Sequence, residues 1–373
     1  MSIRVLVVDD SNLARRVIQG ELNKDAEIQV VGTAKDPLEA SERIEELLPD
    51  VLTLDLELPK MDGLTFLRSL MRHHPMPVVI VSAYTQKGSR LALEALEAGA
   101  VDIVPKPGSA TSLVEMAAEL VAKVKAASQA RVAGMNGGAE TRAATARSGA
   151  ARPAPLARPG AAPRPGGMRP AREPVQVLPP LGRTLSADRL IAIGSSTGGT
   201  QALQYILSRL PADMPPILIV QHMPPGFTNA FAGRLNQLSQ LEVKEAEHND
   251  TASPGRVLLA PGALHMVLHR TGSRYWVEIT DGPRVCRQKP SVEVLYQSVA
   301  KVAGRGAIGA ILTGMGGDGS EGMLAMKQAG AVTIAEHEST CVVFGMPKEA
   351  IKLGGVDHVV PLHNIPEMLV RLS

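Results

Sequence analysis

The chain has 373 residues, enough for two domains that each bury a core. Its formal net charge is +2, but nine Arg and two Glu within residues 128–187 contribute +7, so the rest of the chain carries −5. Because the arginine-bearing segment contains no aromatic residue, its composition argues against a nucleic-acid surface, in which basic and aromatic side chains are interleaved.

The two cysteines, Cys286 and Cys341, form no Cys-x-x-Cys pair, which favours a reducing compartment over a disulfide-stapled secreted protein. No apolar run approaches the roughly 20 residues that a membrane-spanning helix needs. The first apolar run leads directly into Asp9-Asp10, which indicates a strand rather than a signal peptide. We therefore expect a soluble cytoplasmic protein without membrane insertion.

Residues 1–126 alternate short β-branched segments with segments of helical periodicity. The predicted strands are Ile3–Val8, Ile28–Thr33, Val51–Leu54, Val78–Ser82 and Asp102–Val104. Helices are predicted to begin near Ser11, Asp36, Leu64 and Lys87, with a last helix over 109–127. Five successive βα units predict a doubly wound parallel sheet.

Residues 127–187 are rich in Pro, Ala, Gly and Arg and poor in large apolar side chains. Such a segment cannot bury enough surface to offset the entropy of ordering it, so we interpret it as a disordered, solvated linker. Residues 188–373 return to alternating strands and helices. The predicted fold class is α/β, with two doubly wound parallel-sheet domains, 1–126 (flavodoxin-like) and 188–373 (Rossmann-like), on either side of the linker.

Acidic side chains follow two predicted strands of the first domain. Asp9 and Asp10 follow the first strand and Asp55 follows the third, and parallel strands bring these ends to one edge of the sheet. Three crowded carboxylates repel one another unless a cation neutralises them, and an all-oxygen set suits Mg²⁺. Ser82 ends the fourth strand and Lys106 follows the fifth, so a phosphoryl group would find a hydroxyl and an ammonium there. Each aspartate alone is more often a turn or helix-cap residue, but five polar residues at consistent strand ends weaken that interpretation.

The first domain resembles the receiver domain of bacterial response regulators. The matching segments are Val7-Val8-Asp9-Asp10-Ser11, the stretch over 54–63, Val81-Ser82-Ala83 and Val104-Pro105-Lys106-Pro107. The resemblance implies that Asp55 is the phosphoacceptor and that a histidine kinase is the phosphodonor. In the same way, it implies that Ser82 and Lys106 contact the phosphoryl group. It also implies Mg²⁺ held by Asp9, Asp10, Asp55 and the Glu57 carbonyl. Many receivers carry Phe or Tyr where this chain has Ile103, which argues against an aromatic-rotamer switch.

The second domain begins with a hydroxyl-rich turn, Gly194-Ser195-Ser196-Thr197-Gly198-Gly199. The turn follows an apolar run, Leu190–Ile193, and precedes a helical pattern over Gln201–Leu210, so a hydroxyl is expected beside free helix N–H groups. A dinucleotide-binding loop has the same form. However, the next apolar run, Ile217–Gln221, is followed by His222 instead of the acid that a ribose requires, which favours a hydrolase.

A carboxylate completes the pattern, because Asp318 lies in a Gly-rich turn after a third apolar run. On one edge of a parallel sheet Ser196, His222 and Asp318 would act as nucleophile, base and orienter. His222 alone is equally consistent with a structural histidine. Asp318 alone, between glycines, is more often a turn former. The pattern by itself leaves open whether Ser195 or Ser196 is the nucleophile.

Residues 188–373 resemble the catalytic domain of the chemotaxis protein-glutamate methylesterases. The matching segments are 193–199, Val220-Gln221-His222-Met223-Pro224, Leu259-Ala260-Pro261-Gly262, Pro290-Ser291-Val292, 312–319 and 343–348. The resemblance implies Ser196, His222 and Asp318 as the triad and hydrolysis of glutamate γ-methyl esters on chemoreceptors, with deamidation of receptor glutamines. It implies no cofactor for this step. The backbone N–H of Met315 and its neighbours are candidates for the oxyanion hole.

Two other interpretations remain open at the level of sequence. One is a receiver-coupled module that binds a nucleotide without turnover, and the other is a phosphorylation-dependent scaffold. His265 and His269 are four residues apart, but without a third ligand nearby we interpret them as structural rather than metal-binding.

Overall fold

The computed structural model describes residues 2–58, 61–82, 85–106, 113–130, 175–182 and 188–373. The N-terminal unit consists of five strands, each followed by a helix. Its elements are β1 (Ile3–Val8), α1 (Asn12–Leu22), β2 (Ile28–Ala34), α2 (Pro37–Leu47), β3 (Val51–Leu54), α3 (Gly63–His73), β4 (Val78–Ser82), α4 (Gln86–Glu97), β5 (Asp102–Pro105) and α5 (Leu113–Ser128).

The strands of the N-terminal unit form one parallel sheet in the order β2-β1-β3-β4-β5. This confirms the predicted doubly wound sheet, and the observed helix starts lie within one residue of the four predicted between Ser11 and Lys87. The first four helices begin where a side chain accepts a backbone N–H of the first turn. Those capping residues are Ser11, Asp36, Asp62 and Thr85.

The C-terminal unit is larger and contains two sheets. Its elements are β6 (Leu190–Ser195), α6 (Gly199–Leu207), β7 (Ile217–Gln221), α7 (Phe227–Leu238), β8 (Glu242–Glu245), β9 (Thr251–Ala252), β10 (Arg256–Leu259), β11 (His265–Thr271), β12 (Arg274–Thr280), α8 (Val292–Val302), β13 (Ala307–Ile311), α9 (Ser320–Gln328), β14 (Val332–Glu336), α10 (Met346–Lys352), β15 (His358–Val360) and α11 (Ile365–Leu372).

Seven parallel strands form the main sheet of the C-terminal unit, in the order β15-β14-β13-β6-β7-β10-β8. Every residue of β6, β7 and β13 is buried, because helices cover both faces of the sheet. The chain connections leave in opposite directions from the neighbouring strands β6 and β13, because β6 leads to β7 on one side and β13 leads to β14 on the other. The carboxyl ends of strands at such a point border a crevice. The structure adds a three-stranded antiparallel sheet, β11-β12-β9, that the sequence analysis did not predict.

The structure differs from the predicted linker at both of its ends. Helix α5 continues to Ser128, beyond the predicted boundary at residue 126. Near the other end, the Leu178 N–H donates to the Arg209 carbonyl at 2.8 Å, and the Gly182 N–H donates to Asp213 Oδ2 at 3.3 Å. The predicted disorder therefore does not apply to 175–182, whereas 131–174 and 183–187 lie outside the described residues.

The two units pack against each other through α4, which contacts α7 and α6. Arg234 Nε and Nη2 donate to the two carboxylate oxygens of Glu97 at 2.6 and 3.1 Å, a two-point pairing with fixed geometry. Gln201 Nε2 donates to the Leu96 carbonyl at 2.7 Å, at the end of the same helix. The carboxyl-terminal end of α4 is therefore anchored to the C-terminal unit.

Among the described residues, no helix is long and apolar enough to cross a bilayer.

The central strand β6 should dominate the stability of the C-terminal unit. Ile193 is fully buried there, so Ile193→Ala leaves a cavity and should lower the free energy of unfolding by about 2–5 kcal/mol. Urea denaturation followed by the fluorescence of Trp276, the single tryptophan, measures this unit directly. The control is Leu353→Ala at a position that is 45% exposed, where a change below about 0.5 kcal/mol is expected. Equal effects of the two substitutions would contradict this assignment of the core.

Candidate active site and phosphoacceptor pocket

An acidic pocket lies at the carboxyl edge of the N-terminal sheet. Asp9 and Asp55 are almost fully buried, and Lys106 Nζ lies 2.8 Å from Asp9 Oδ2 and 2.7 Å from Asp55 Oδ2. Burial raises the pKa of Asp9 even though Lys106 acts against it. Burial also disfavours the charged form of Lys106, but hydrogen bonds to Asp55 and Asp9 outweigh it and raise the pKa of the ammonium. Lys106 thus stays charged between the two carboxylates.

The same pocket has the donor set that Mg²⁺ prefers. Carboxylate oxygens of Asp9, Asp10 and Asp55 lie within 4.8 Å of one another, and Asp10 is exposed to solvent. One ammonium faces three carboxylates, so the pocket retains negative charge that a divalent cation would neutralise. The Glu57 N–H donates to Asp55 Oδ1 at 3.1 Å, which places the Glu57 backbone beside the acceptor carboxylate. These residues fit the predicted magnesium site.

Ser82 lies at the end of β4 but does not bond to the acidic cluster. Its buried hydroxyl faces the Gly88 carbonyl in the first turn of α4, at a long 3.5 Å. A contact this long holds the hydroxyl weakly, so it is free to turn towards a new acceptor. Ile103, two residues into β5, is buried.

The two serines of the hydroxyl-rich turn differ in burial and in hydrogen bonding. Ser195 is fully buried, and its Oγ donates to Gln221 Oε1 at 2.7 Å. Ser196 is partly exposed and faces a cleft that His222 also lines. Gln221 Nε2 in turn donates to the Ser196 carbonyl at 2.9 Å, so one buried amide fixes the turn. The Ser195 hydroxyl therefore has a structural hydrogen bond, and Ser196 carries the accessible hydroxyl.

The backbone around Ser196 is locked by a close approach of two turns. The Ser196 N–H donates to the Thr313 carbonyl at 3.0 Å, and the Thr313 N–H donates to the buried carboxylate of Glu336 at 2.9 Å. A Cβ at Gly314 would lie 2.7 Å from Ser196 Cβ, which is why glycine occupies this place. Gly198 has φ +81° at the helix N-cap, where a side chain would be strained.

His222 and Asp318 form a buried pair at the neighbouring strand end. His222 Nε2 lies 2.7 Å from Asp318 Oδ2. Burial disfavours the charged carboxylate, but the hydrogen bond and charge of His222, followed by bonds from Ser291 and Val292, hold the pKa of Asp318 below its ordinary value. An ionised carboxylate can only accept, so Nε2 carries the imidazole proton and the lone pair of neutral His222 is on Nδ1.

The lone-pair nitrogen of His222 faces the cleft without a partner. Nδ1 is buried and makes no hydrogen bond to any residue that the structure describes, so the Ser196 hydroxyl does not bond to it in this conformation. The predicted triad members thus meet at one sheet edge, with the His222–Asp318 bond formed and the Ser196–His222 bond unformed.

The N-terminal unit covers this cleft. Its lining includes Asp102, Ile103 and Lys123 from one unit and Ser196 and His222 from the other. The accessible volume is about 10 Å³, the room that a single water molecule needs. A glutamate methyl ester side chain cannot enter a space of this size.

One hydrogen bond links the N-terminal unit directly to the turn that contains Ser196. Thr197 Oγ1 donates to Asp102 Oδ2 at 2.5 Å. The other oxygen of Asp102 accepts from Lys123 Nζ at 2.7 Å, and Lys123 also donates to the Ile103 carbonyl at 2.7 Å. Asp102 is thereby fixed within its own unit while it holds the residue next to Ser196.

Met315 lies on the Gly-rich turn whose Gly314 touches Ser196, and its side chain is 38% exposed. Its assignment to the oxyanion hole stays a prediction. The two histidines considered as metal ligands have other partners: His265 Nε2 donates to the Pro283 carbonyl, and His269 bonds Glu278 and stacks on Trp276.

Sequence reasoning assigned no role to several residues that shape the site. Gln221, Ser291 and Glu336 each bond to a residue of the Ser196 or Asp318 turns. Gln221 and Ser291 stood within the quoted family segments, which was a usable signal. Nothing in the sequence distinguished Glu336 or Asp102, because their roles depend on contacts between distant segments.

Comparison with known proteins agrees with both units. The family model described as CheB methylesterase matches residues 191–369, and the response regulator receiver domain model matches residues 5–118. The chain is 50% identical over 370 residues to protein-glutamate methylesterase/protein-glutamine glutaminase 2 of Syntrophus aciditrophicus, covering 99% of both chains. It is 48% identical over 374 residues to the enzyme of the same designation from Salmonella typhimurium, covering 100% of this chain and 97% of the relative.

Among solved structures, the CheB methylesterase catalytic domain of Thermotoga maritima is 42% identical, with a TM-score of 0.49, over 50% of this chain and 98% of that one. The chain thus has a receiver domain followed by a CheB methylesterase domain, and it matches these two relatives over almost its entire length. It belongs to the protein-glutamate methylesterase/protein-glutamine glutaminase family.

Proposed function

We propose that this enzyme hydrolyses glutamate γ-methyl esters on chemoreceptors with Ser196 as nucleophile, His222 as base and Asp318 as orienter. The observation that carries the proposal is the 2.7 Å bond between His222 and a carboxylate, beside a cleft that a serine on a strand-to-helix turn also lines. The His222 nitrogen opposite that bond is unpartnered among the described residues and is the natural proton acceptor.

The reaction follows from this arrangement. Ser196 Oγ forms a bond to the ester carbonyl carbon while His222 Nδ1 takes its proton, and the imidazolium that results is stabilised by Asp318. His222 then protonates the departing oxygen, and methanol leaves. Water, deprotonated by the same nitrogen, attacks the acyl-enzyme and releases glutamate. A glutamine side chain reacts by the same steps and loses ammonia. Backbone N–H groups near Met315 would stabilise the oxyanion.

The receiver pocket would control this chemistry. Asp55 would accept a phosphoryl group from a histidine kinase. Mg²⁺ would be held by Asp9, Asp10, Asp55 and the Glu57 carbonyl, and it would supply charge neutralisation. The phosphoryl group adds a charge of about −1.5 to −2 at pH 7. Lys106 and the weakly held Ser82 hydroxyl would bind its oxygens, drawing the β4–α4 connection towards Asp55.

We further propose that the receiver domain inhibits by covering the cleft. The support is the cleft volume of about 10 Å³ and the Asp102–Thr197 bond. Phosphorylation at Asp55 would weaken the α4–α7 contact and shift the two units towards an open state.

The nucleophile is tested by replacing each serine of the turn. Ser196→Ala should reduce methanol release from methylated receptor by at least about 10³-fold, because triad members act as a unit. Ser195→Ala removes only the bond to Gln221 and should cost stability more than turnover. Loss of activity in Ser195→Ala with retention in Ser196→Ala would reverse the assignment.

The phosphoacceptor is tested with a small-molecule phosphodonor. Asp55→Asn should abolish stimulation of methanol release and leave basal activity, because Asp55 is remote from the ester site. Removal of Mg²⁺ with EDTA from the unsubstituted enzyme should have the same effect, since the esterase steps need no metal. Phosphodonor stimulation that persists in Asp55→Asn would refute the role of this residue.

The covering contact is tested by charge reversal at the Glu97–Arg234 pair, which links α4 to α7 and is not part of the proposed triad. Glu97→Lys places two cations together and should raise unphosphorylated activity several-fold. The double variant Glu97→Arg/Arg234→Glu restores opposite charges and should return the activity towards the basal level. If Glu97→Lys leaves the basal rate unchanged and the two units still associate, this contact does not maintain inhibition.

A further inference from the structure

The carboxylate of Asp318 lies at the N-terminus of α8, where four donors surround it. Oδ1 accepts the Ser291 hydroxyl at 2.7 Å and the Glu293 N–H at 3.1 Å. Oδ2 accepts His222 Nε2 at 2.7 Å and the Val292 N–H at 2.7 Å. Two of these donors are backbone N–H groups, and the other two belong to the side chains of His222 and Ser291.

The backbone of Ser291 is fixed by a second buried side chain, His265. Ser291 is fully buried, and its backbone N–H donates to Nδ1 of buried His265 at 3.2 Å. His265 Nε2 lies 2.9 Å from the Pro283 carbonyl, which can only accept. The His265 ring therefore carries its proton on Nε2 and is neutral, with Nδ1 free to accept from Ser291. Two buried side chains thus fix the place from which the Ser291 hydroxyl reaches Asp318.

We propose that Ser291 is a positioning residue for the esterase reaction, holding the Asp318 carboxylate in the rotation that presents Oδ2 to His222. This inference rests on the proposed triad. The terminal torsion of an aspartate is broad and intrinsically weakly restrained, so the orientation of its oxygens is set by their partners. Without the Ser291 hydroxyl, Oδ1 retains the longer bond from the Glu293 N–H and the weak donor Cys286 nearby, so the carboxylate is less firmly held against turning away from Nε2.

The same loss weakens the support that Asp318 gives to the reaction. A carboxylate that has turned away from Nε2 stabilises the imidazolium formed at His222 less well, so the barrier to proton transfer from Ser196 rises. Because Ser291 is not among the residues that line the cleft, the loss should appear in kcat rather than in KM.

The experiment compares Ser291→Ala with Ser298→Ala in the full chain. Ser298 is a buried serine of the same helix, but its hydroxyl bonds Leu295 and Leu268 and touches no triad residue. Methanol release from methylated receptor is measured as a function of receptor concentration, after stimulation with the phosphodonor. Ser291→Ala should lower kcat by about 10- to 100-fold, as for one lost hydrogen bond to a charged group, with KM little changed.

Ser298→Ala should remain within about twofold in kcat. Ser291→Cys keeps the side-chain shape and offers a weak donor, so its kcat should lie between those of serine and alanine. This variant provides the test if Ser291→Ala loses native Trp276 fluorescence. Equal kcat values for the Ser291 and Ser298 variants would overturn the positioning role while leaving the triad intact. Activity retained in Ser196→Ala would instead show that the proposed triad itself is wrong.

Discussion

A carboxylate that is buried at the edge of a sheet must be surrounded by donors or cations, and both functional centres of this enzyme are built around that constraint. Asp55 and Asp318 are each almost fully buried, and each follows a strand of a parallel sheet. Asp55 accepts hydrogen bonds from Lys106 and from one backbone N–H. Asp318 accepts hydrogen bonds from His222, Ser291 and the first N–H groups of α8. In the proposed function the first carboxylate reacts, whereas the second stays ionised and fixed in orientation.

The two centres are joined by elements that reach from one to the other. Strand β5 begins at Asp102, which holds Thr197, and is followed directly by Lys106 in the acidic pocket. Helix α4 begins near Ser82 and ends at Glu97, which holds Arg234. At about 1.5 Å per residue this helix spans roughly 18 Å. In the proposed function, phosphorylation at Asp55 would therefore act on two elements whose opposite ends contact the catalytic domain, and no aromatic rotamer at position 103 would be needed to transmit it.

Much of this was predictable, because strand ends in a parallel sheet converge whatever the details of packing. The five receiver strands, the acidic cluster and the meeting of His222 with Asp318 followed from that rule, and family resemblance added their roles. The rest depends on contacts that no local pattern encodes. Ser195 and Ser196 are neighbours of identical chemistry, and long-range contacts, such as the Ser195–Gln221 bond, distinguish the buried hydroxyl from the partly exposed one. The antiparallel sheet β11-β12-β9 and the anchoring of 175–182 likewise arise from long-range pairing, and the Asp102–Thr197 bond exists only because two separately folded units meet.

The central claim is that the receiver domain restrains the esterase by occupying the entrance to its cleft. The most direct measurement is methanol release from methylated receptor before and after the chain is cut within 131–174, at equal molarity and without phosphodonor. A tether keeps the effective concentration of the cover near the millimolar range or below, so a weak contact inhibits while the chain is intact and dissociates once it is cut. The account predicts that cleavage raises activity towards that of the phosphodonor-stimulated enzyme. Unchanged or lower activity after cleavage would contradict it and would show that the receiver activates the catalytic domain by another route.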